Sequence, residues 1–406
     1  MTLTLWRPSF ILWLLGTAQS QFGGALVSLA FSFLVLQQTG SAGNMAITLA
    51  CSLLPQVFGP FAGAWIDRLE LKVPLIGADL TRGVVQLVLG GLTPEGESAP
   101  FWVINGAAVL MGVANVFAVP ATQAAVPRLS PEQELPRANG LVVSVSQGAG
   151  LLGSLAGGVI VARTSPAAAM LLAGGSFLVM TLLLLFVQFR KADIHQPQQR
   201  PALLHEVMEG LRFMHRSPLL TWTPVLALFL NAATVLITVL LPKIMQGLGV
   251  GAQGYGTYSA LMGGGVVVAG LLVAAVGQRL PLASVTGCGF FLLTAAFGLM
   301  ALKPEYGWLL TGGALAGVAS GCINTPLFTL IQQQVPQALL GRVFSVLVTG
   351  ATLGMPLSLF GLAPVLDRFP SHMWLGFDAV ILLLCSLGWV ALVGRGRPPL
   401  PSQSEA

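Results

Sequence analysis

A chain of 406 residues that is 55% hydrophobic and 8% charged, with a mean hydropathy of +0.83, is excluded from the ordinary soluble proteins, in which about 25% of residues are charged. Its net charge of +5 and pI near 9.3 do not indicate nucleic acid, because the basic residues stand singly in loops with no basic stripe and no aromatic platform beside one. Cys51, Cys288, Cys322 and Cys385 all fall inside apolar runs and form no Cys-x-x-Cys pair, so neither a disulfide framework nor a metal site is expected.

Apolar runs of about 20 residues are long enough to cross the roughly 30 Å hydrocarbon layer of a bilayer. The first follows Arg7 and is too long for the apolar core of a secretory signal, so it is expected to be a membrane helix. Helices are predicted at residues 10–36, 44–66, 73–92, 101–126, 139–162 and 167–189, and again at 219–245, 254–276, 282–302, 307–335, 342–366 and 373–394. The fold class is therefore all-α integral membrane, with twelve transmembrane helices. Cytoplasmic termini place 15 of the 19 basic residues inside and leave only Arg163, Lys243, Lys303 and Arg368 outside, which selects that topology for a multi-pass protein of the plasma membrane.

Between the second and third predicted helices, Gly63 to Lys72 reads GAWIDRLELK, the densest charge cluster in the first hundred residues. It is expected to be a tight cytoplasmic turn. Within the long polar segment from Arg190 to Pro218, Leu203, Leu204, Val207, Met208, Leu211 and Met214 recur at helical spacing, with His205, Glu206, Glu209, Arg212 and Arg216 on the other face. That pattern predicts an amphipathic helix at the inner interface, tethering two halves. The organisation is an N-terminal six-helix bundle over 1–189, a linker over 190–218, a C-terminal bundle over 219–394 and a cytoplasmic tail over 395–406. An internal repeat agrees with two pseudo-symmetric bundles. Gly112, Asn115, Gln123 and Pro127 recur 209 residues later as Gly321, Asn324, Gln332 and Pro336. Ser144 and Gly153 recur 201 residues later as Ser345 and Gly354.

Ionisable residues inside a membrane are costly, about 2.5 to 3.5 kcal/mol at a helix centre, so each is a functional candidate. Asp79, with Arg82 three residues on, lies in the third predicted helix, and Asp378 lies in the twelfth, where a hydrated interfacial carboxylate is expected. These are the candidates for proton coupling. There is no His-Glu-x-x-His, no Gly-x-Ser-x-Gly and no phosphate-cradling Gly-rich Lys loop, and three of the four histidines fall in the linker, so no catalytic constellation and no cofactor are expected.

Gly63-x-x-x-Asp67-Arg68, followed by Lys72, resembles the loop signature of the major facilitator superfamily, although Glu70 stands where the family has glycine and Val73 where it has a second basic residue. The resemblance implies that Asp67 bonds the amino-terminal end of the eleventh helix, near Gly341 and Arg342, and holds the cytoplasmic side closed. The counterpart loop after the eighth helix, Val276-Gly277-Gln278-Arg279, has an amide in the acid's place, so the first loop is expected to be the single strong latch. Gly148 and then Gly153-Ser154-Leu155-Ala156-Gly157-Gly158 resemble the antiporter signature of the same superfamily, with Ser154 in place of its proline and Ser144 in place of an earlier glycine. Small residues there suit close helix packing and a rocking hinge, and they favour export. Pro120 to Gly140, Gln332 to Val346 and the DLTRG run from Asp79 to Gly83 are similar to the drug and siderophore exporter branch, which includes macrolide and tetracycline efflux proteins and the enterobactin exporter.

In that superfamily the first, fourth, seventh and tenth helices line the central path. The residues implied to face it are Gln19, Gln21, Ser28, Ser32, Asn115, Gln123, Asn231, Thr234, Thr238, Asn324 and Gln332, a neutral hydrogen-bonding set. Such a cavity suits a bulky amphiphilic or lipophilic solute better than a sugar phosphate or a metal. The resemblance implies secondary export by alternating access, driven by a proton gradient, with membrane lipids, protons and a small amphiphilic substrate as partners and a monomeric chain. A lysophospholipid or lipid transporter, or a solute importer of the same fold, stays open as the alternative.

Overall fold

The computed structural model describes residues 6–59, 69–94, 98–190, 203–215, 217–276, 281–336 and 339–395. The helices of the first half are α1 (Pro8–Thr39), α2 (Ala42–Leu53), α3 (Lys72–Leu92), α4 (Phe101–Leu129), α5 (Leu135–Arg163) and α6 (Pro166–Phe186). The amphipathic α7 (Leu203–Met214) follows in the linker. The second half comprises α8 (Pro218–Gly247), α9 (Gly251–Val276), α10 (Leu282–Leu302), α11 (Tyr306–Gln334), α12 (Leu340–Leu366) and α13 (Ser371–Arg395).

Among the described residues, 11 helices are long and apolar enough to cross a membrane, and Ala42–Phe58 is a shorter apolar helix. That segment is the described part of the second predicted helix. Pro55 has no N–H to continue the α-ladder, and the chain tightens into a 3-10 turn over Leu54–Phe58. Residues 60–68 lie outside the described residues, and with them Gly63, Asp67 and Arg68.

Local chemistry sets the other boundaries. Gly40, at φ 62°, ends α1 in the left-handed region, and the Ser41 hydroxyl accepts the Asn44 N–H to start α2. Pro8, Pro166 and Pro218 open α1, α6 and α8 at the position where a missing N–H loses nothing. Prolines inside α4, α8, α11 and α12 each remove one ladder bond, and all four of these helices face the space between the two halves.

Helices α1–α6 pack as one bundle and α8–α13 as another, and the two meet chiefly where α5 lies against α9 and α2 against α12. The start of α1, the end of α4 and the segment that follows α6 lie on one face, here termed the terminal face. There the Gln188 N–H donates to Ser9 Oγ at 3.2 Å, and the Arg190 N–H donates to the Arg128 carbonyl at 3.1 Å. The opposite, distal face carries Ser41, Lys243 and Asp367.

The apolar core is not divided evenly between these faces. Its largest cluster runs through both bundles and includes Phe33, Met45, Tyr255, Tyr258 and Ala363. Toward the terminal face two separate clusters replace it. One, around Phe10, Trp13, Leu75, Val126 and Leu184, belongs to the first bundle; the other, around Met214, Leu220, Ile331 and Val343, belongs to the second. The bundles are joined at one end and parted at the other.

Candidate functional site

The space between the parted bundles is a cavity of about 1180 Å³. Its walls come from α1, α2, α3, α4, α6, α8, α9, α10, α11 and α12. Apolar side chains dominate, among them Phe31, Phe177, Phe297, Phe328, Phe344 and Met262. At its distal end Tyr255 stacks on Tyr258 with ring centroids 6.3 Å apart, and Phe33 of the other bundle lies 6.1 Å from Tyr255. These rings bridge the bundles and close the distal end.

Nine of the sequence-selected polar residues line the cavity: Gln21, Ser28, Ser32, Asn115, Gln123, Asn231, Thr234, Thr238 and Asn324. The hydroxyls of Ser32, Thr234 and Thr238 bond back to carbonyls of their own helices, so they tolerate an apolar solute without leaving a donor unmade. Asn231 Nδ2 donates across to the Ala351 carbonyl at 3.2 Å, tying α8 to α12. Gln19 and Gln332 are not on the wall. Gln19 turns into its own bundle and donates to the Ser176 carbonyl and hydroxyl at 2.6 and 2.7 Å, while Gln332 is exposed near the terminal end of α11.

The wall is also not neutral as expected, because Asp79 and Arg82 are part of it. One turn apart on α3, they pair at 3.2 Å, and their side chains are only 8% and 13% exposed. Arg82 donates a second, short bond to Asn115 Oδ1 of α4 and lies 5.6 Å from the centre of the Phe177 ring. An ion pair, an amide and an aromatic face thus compensate one another in a low-dielectric wall. Asp378, by contrast, is not at the surface. It is fully buried within the second bundle, off the cavity, and neither carboxyl oxygen has a hydrogen-bond partner among the described residues.

The glycines of the antiporter-like stretch divide between two neighbours. A Cβ at Gly153 would come within 2.6 Å of the Phe22 carbonyl of α1, and one at Gly158 within 2.8 Å of the Ala252 carbonyl of α9, across the bundle interface. Gly256 answers Gly158 from α9, where a Cβ would meet the Ser154 carbonyl at 2.5 Å. Gly157 packs on Leu26 and Leu29 of α1, whereas Gly148 meets nothing within 4 Å and takes no part in helix packing. Ser154 bonds its own helix at Gly150.

Of the proposed terminal-face gate, Lys72 donates to the Leu185 carbonyl at 3.2 Å, within its own bundle. Arg342, next to Gly341 at the start of α12, pairs with Glu209 of α7 at 2.5 Å and so ties the linker helix to the second bundle.

Sequence reasoning missed the polar seal of the distal face. The Asp367 carboxylate accepts from Ser41 Oγ at 2.5 Å, from the N–H groups of Ala42 and Gly43 at 3.0 Å each, and from Lys243 Nζ at 2.6 Å. Partial burial pushes this carboxyl up, but the donors outweigh it and hold the group at about 2. The available signal was an Asp-Arg pair directly after an apolar run, the same order as Asp67-Arg68.

A model of the Major Facilitator Superfamily matches residues 13–359. Over 386 residues the chain is 22% identical to macrolide efflux protein A of Streptococcus pyogenes, covering 94% of this chain and 95% of that protein. Over 398 residues it is 28% identical to the multidrug efflux pump Tap of Mycobacterium bovis, covering 95% and 93%. Among solved structures, the nucleoside transporter NupG superposes with a TM-score of 0.77 at 10% identity, over 95% of this chain and 99% of that one. A bacterial homologue of the lysosomal transporter Spinster, inward-facing and occupied, gives 0.76 at 12% identity over 97% and 98%. With its all-helical two-bundle architecture and a family match across most of its length, the chain belongs to the Major Facilitator Superfamily of membrane transporters.

Proposed function

We propose that the protein is a secondary exporter that moves a bulky amphiphilic or lipophilic compound across the plasma membrane by alternating access, in exchange for protons. One observation carries the reading: the cavity between the bundles is sealed at the distal face and reaches the terminal face between two separate apolar clusters. A carrier needs this state and its mirror image. The excess of basic residues in the loops of the terminal face makes that face cytoplasmic, so the cavity takes up its solute from inside. The efflux proteins among the relatives support the outward direction, and the inward-facing Spinster homologue supports the conformational assignment.

The mostly apolar wall, with amide and hydroxyl groups and one ion pair set into it, suits a solute with a large apolar body and a polar head. The step is physical movement with no covalent chemistry. Asp79 is the carboxylate placed to exchange a proton with the cavity, where Arg82 and a bound solute compete for it; Asp378, remote from the cavity, would act only through the packing of the second bundle. The loop from Gly63 to Lys72 latches the cytoplasmic side in the opposite state. The chain works as a monomer in lipid.

The test is efflux of a lipophilic dye from vesicles under an imposed proton gradient. Gradient-dependent efflux is expected, together with its loss in Asp79→Asn. Efflux that survives dissipation of the gradient would overturn the coupling, and vesicles that never move dye would overturn the substrate class.

A further inference from the structure

Ala363-Pro364-Val365-Leu366-Asp367-Arg368 stands 300 residues after Gly63-Ala64-Trp65-Ile66-Asp67-Arg68. Each stretch has a small residue, three apolar or small residues and then an Asp-Arg pair at the close of an apolar run. The second copy closes α12 on the distal face.

Asp367 is the residue at the C-cap of α12 in the second bundle, yet three of its four donors belong to α2 of the first. The Ser41 hydroxyl and the N–H groups of Ala42 and Gly43 are the opening of α2, where backbone donors lack intrahelical acceptors. Gly43 makes the approach possible, because a Cβ there would collide with the Ala363 carbonyl. That gives the small residue of the motif's first position a partner that is equally small. The fourth donor, Lys243, is on α8, which packs beside α12 in the same bundle.

We propose that Asp367 is the distal latch of this transporter: by capping α2 across the bundle interface it holds the cavity open to the terminal face, and its release lets the distal side open. The inference rests on the alternating-access reading above. Lys243 and Asp367 travel together because their helices share a bundle, so the ion pair persists through the cycle and keeps the carboxylate aimed. The three bonds from α2 are the ones made and broken. Lys243 is therefore a positioning residue, and Ser41 the side chain of the first bundle that the latch grips.

The experiment uses the full chain with its four native cysteines replaced by serine and one reporter, Met45→Cys, which lies on the cavity wall beneath the seal and is 3% exposed. Intact cells are treated with a membrane-impermeant thiol reagent, so that only opening at the distal face is read. Asp367→Asn is expected to raise the labelling rate about tenfold, since loss of roughly 1.4 kcal/mol from one state shifts a two-state equilibrium by that factor. Ser41→Ala removes one donor without touching a charge and is expected to raise it about twofold to threefold. Asp67→Asn, acting on the opposite latch, is expected to lower it. Labelling in Asp367→Asn and Ser41→Ala at the parent rate, in protein that elutes as a single peak, would overturn the latch. Because no transported solute enters the readout, failed dye export with an intact labelling difference overturns the exporter reading alone. Equal labelling of the parent from both sides of the membrane overturns alternating access and the latch together.

Discussion

Asp79, Arg82 and Asn115 form the most consequential contact of single residues, because a charge pair inside a membrane wall is tolerated only while each partner compensates the other. Replacing Asp79 with Ala leaves the guanidinium with Asn115 and the Phe177 ring alone, and should lower stability by about 3 kcal/mol, read as a drop in melting temperature in detergent. The double variant Asp79→Asn with Arg82→Gln should recover most of that loss while gradient-driven efflux stays absent, which separates structural from transport roles. Asp367 makes a different prediction. Lys243 on α8 is the charged group facing it, the first two turns of α2 bring no ionisable side chain, and Arg368 follows on its own loop. Its carboxyl, held at about 2 by those donors, is below its ordinary value of 3.8, so its contribution to the closed distal face is full above about pH 4 and fades as pH falls toward 2. The ratio of distal labelling of the Met45→Cys reporter in Asp367→Asn to that in the parent, which cancels the pH dependence of the thiolate itself, should accordingly stay flat between about pH 5 and 8, which leaves proton coupling to an acid elsewhere. At this scale the sequence was informative about type and poor about direction. Polar residues in apolar runs stand out, so the cavity set was legible, but Gln19 found Ser176 in its own bundle and Asp378 proved deeply buried, both matters of which neighbour packs beside a helix.

At the scale of elements, the crossing of α5 on α9 depends on the missing side chains of Gly158 and Gly256, whose backbones touch at the distal end. Gly158→Leu would drive a side chain into the Ala252 carbonyl and the backbone of Gly256, with backbone atoms unable to yield as a flexible side chain could. The expected outcome is a distal face wedged apart: faster distal labelling and a loss of efflux of about tenfold or more, with the first bundle intact because the glycines that pack on α1 are Gly153 and Gly157. Gly148→Leu, facing no neighbour within 4 Å, should be silent in both assays. The helices themselves were legible because length and hydropathy define them, and the amphipathic α7 because its apolar residues repeat at helical spacing. The break in the second helix was not, since Pro55 alone does not say whether a helix kinks, tightens or ends. The repeat of the Asp-Arg motif escaped notice for another reason: its offset of 300 differs from those of 209 and 201 that relate the two bundles, so it links the second helix to the eleventh, which are not repeat partners.

For the whole molecule, the arrangement of the apolar core says how the protein can come into being as well as how it moves. Each bundle owns a separate apolar cluster near the terminal face, while the largest cluster is shared at the other end. During synthesis the first six helices can therefore assemble part of their interior before the second six emerge, and the shared portion closes last, when α9 and α12 arrive against α5 and α2. Severing the chain between Arg190 and Leu203 and co-expressing the two pieces should restore gradient-driven efflux to within about an order of magnitude of the intact chain, whereas a cut between α11 and α12 should not, because it strands the helix that carries Asp367 from its own bundle. The last surface to be made in the ribosome's product would then be the one that opens and closes for the rest of the protein's life.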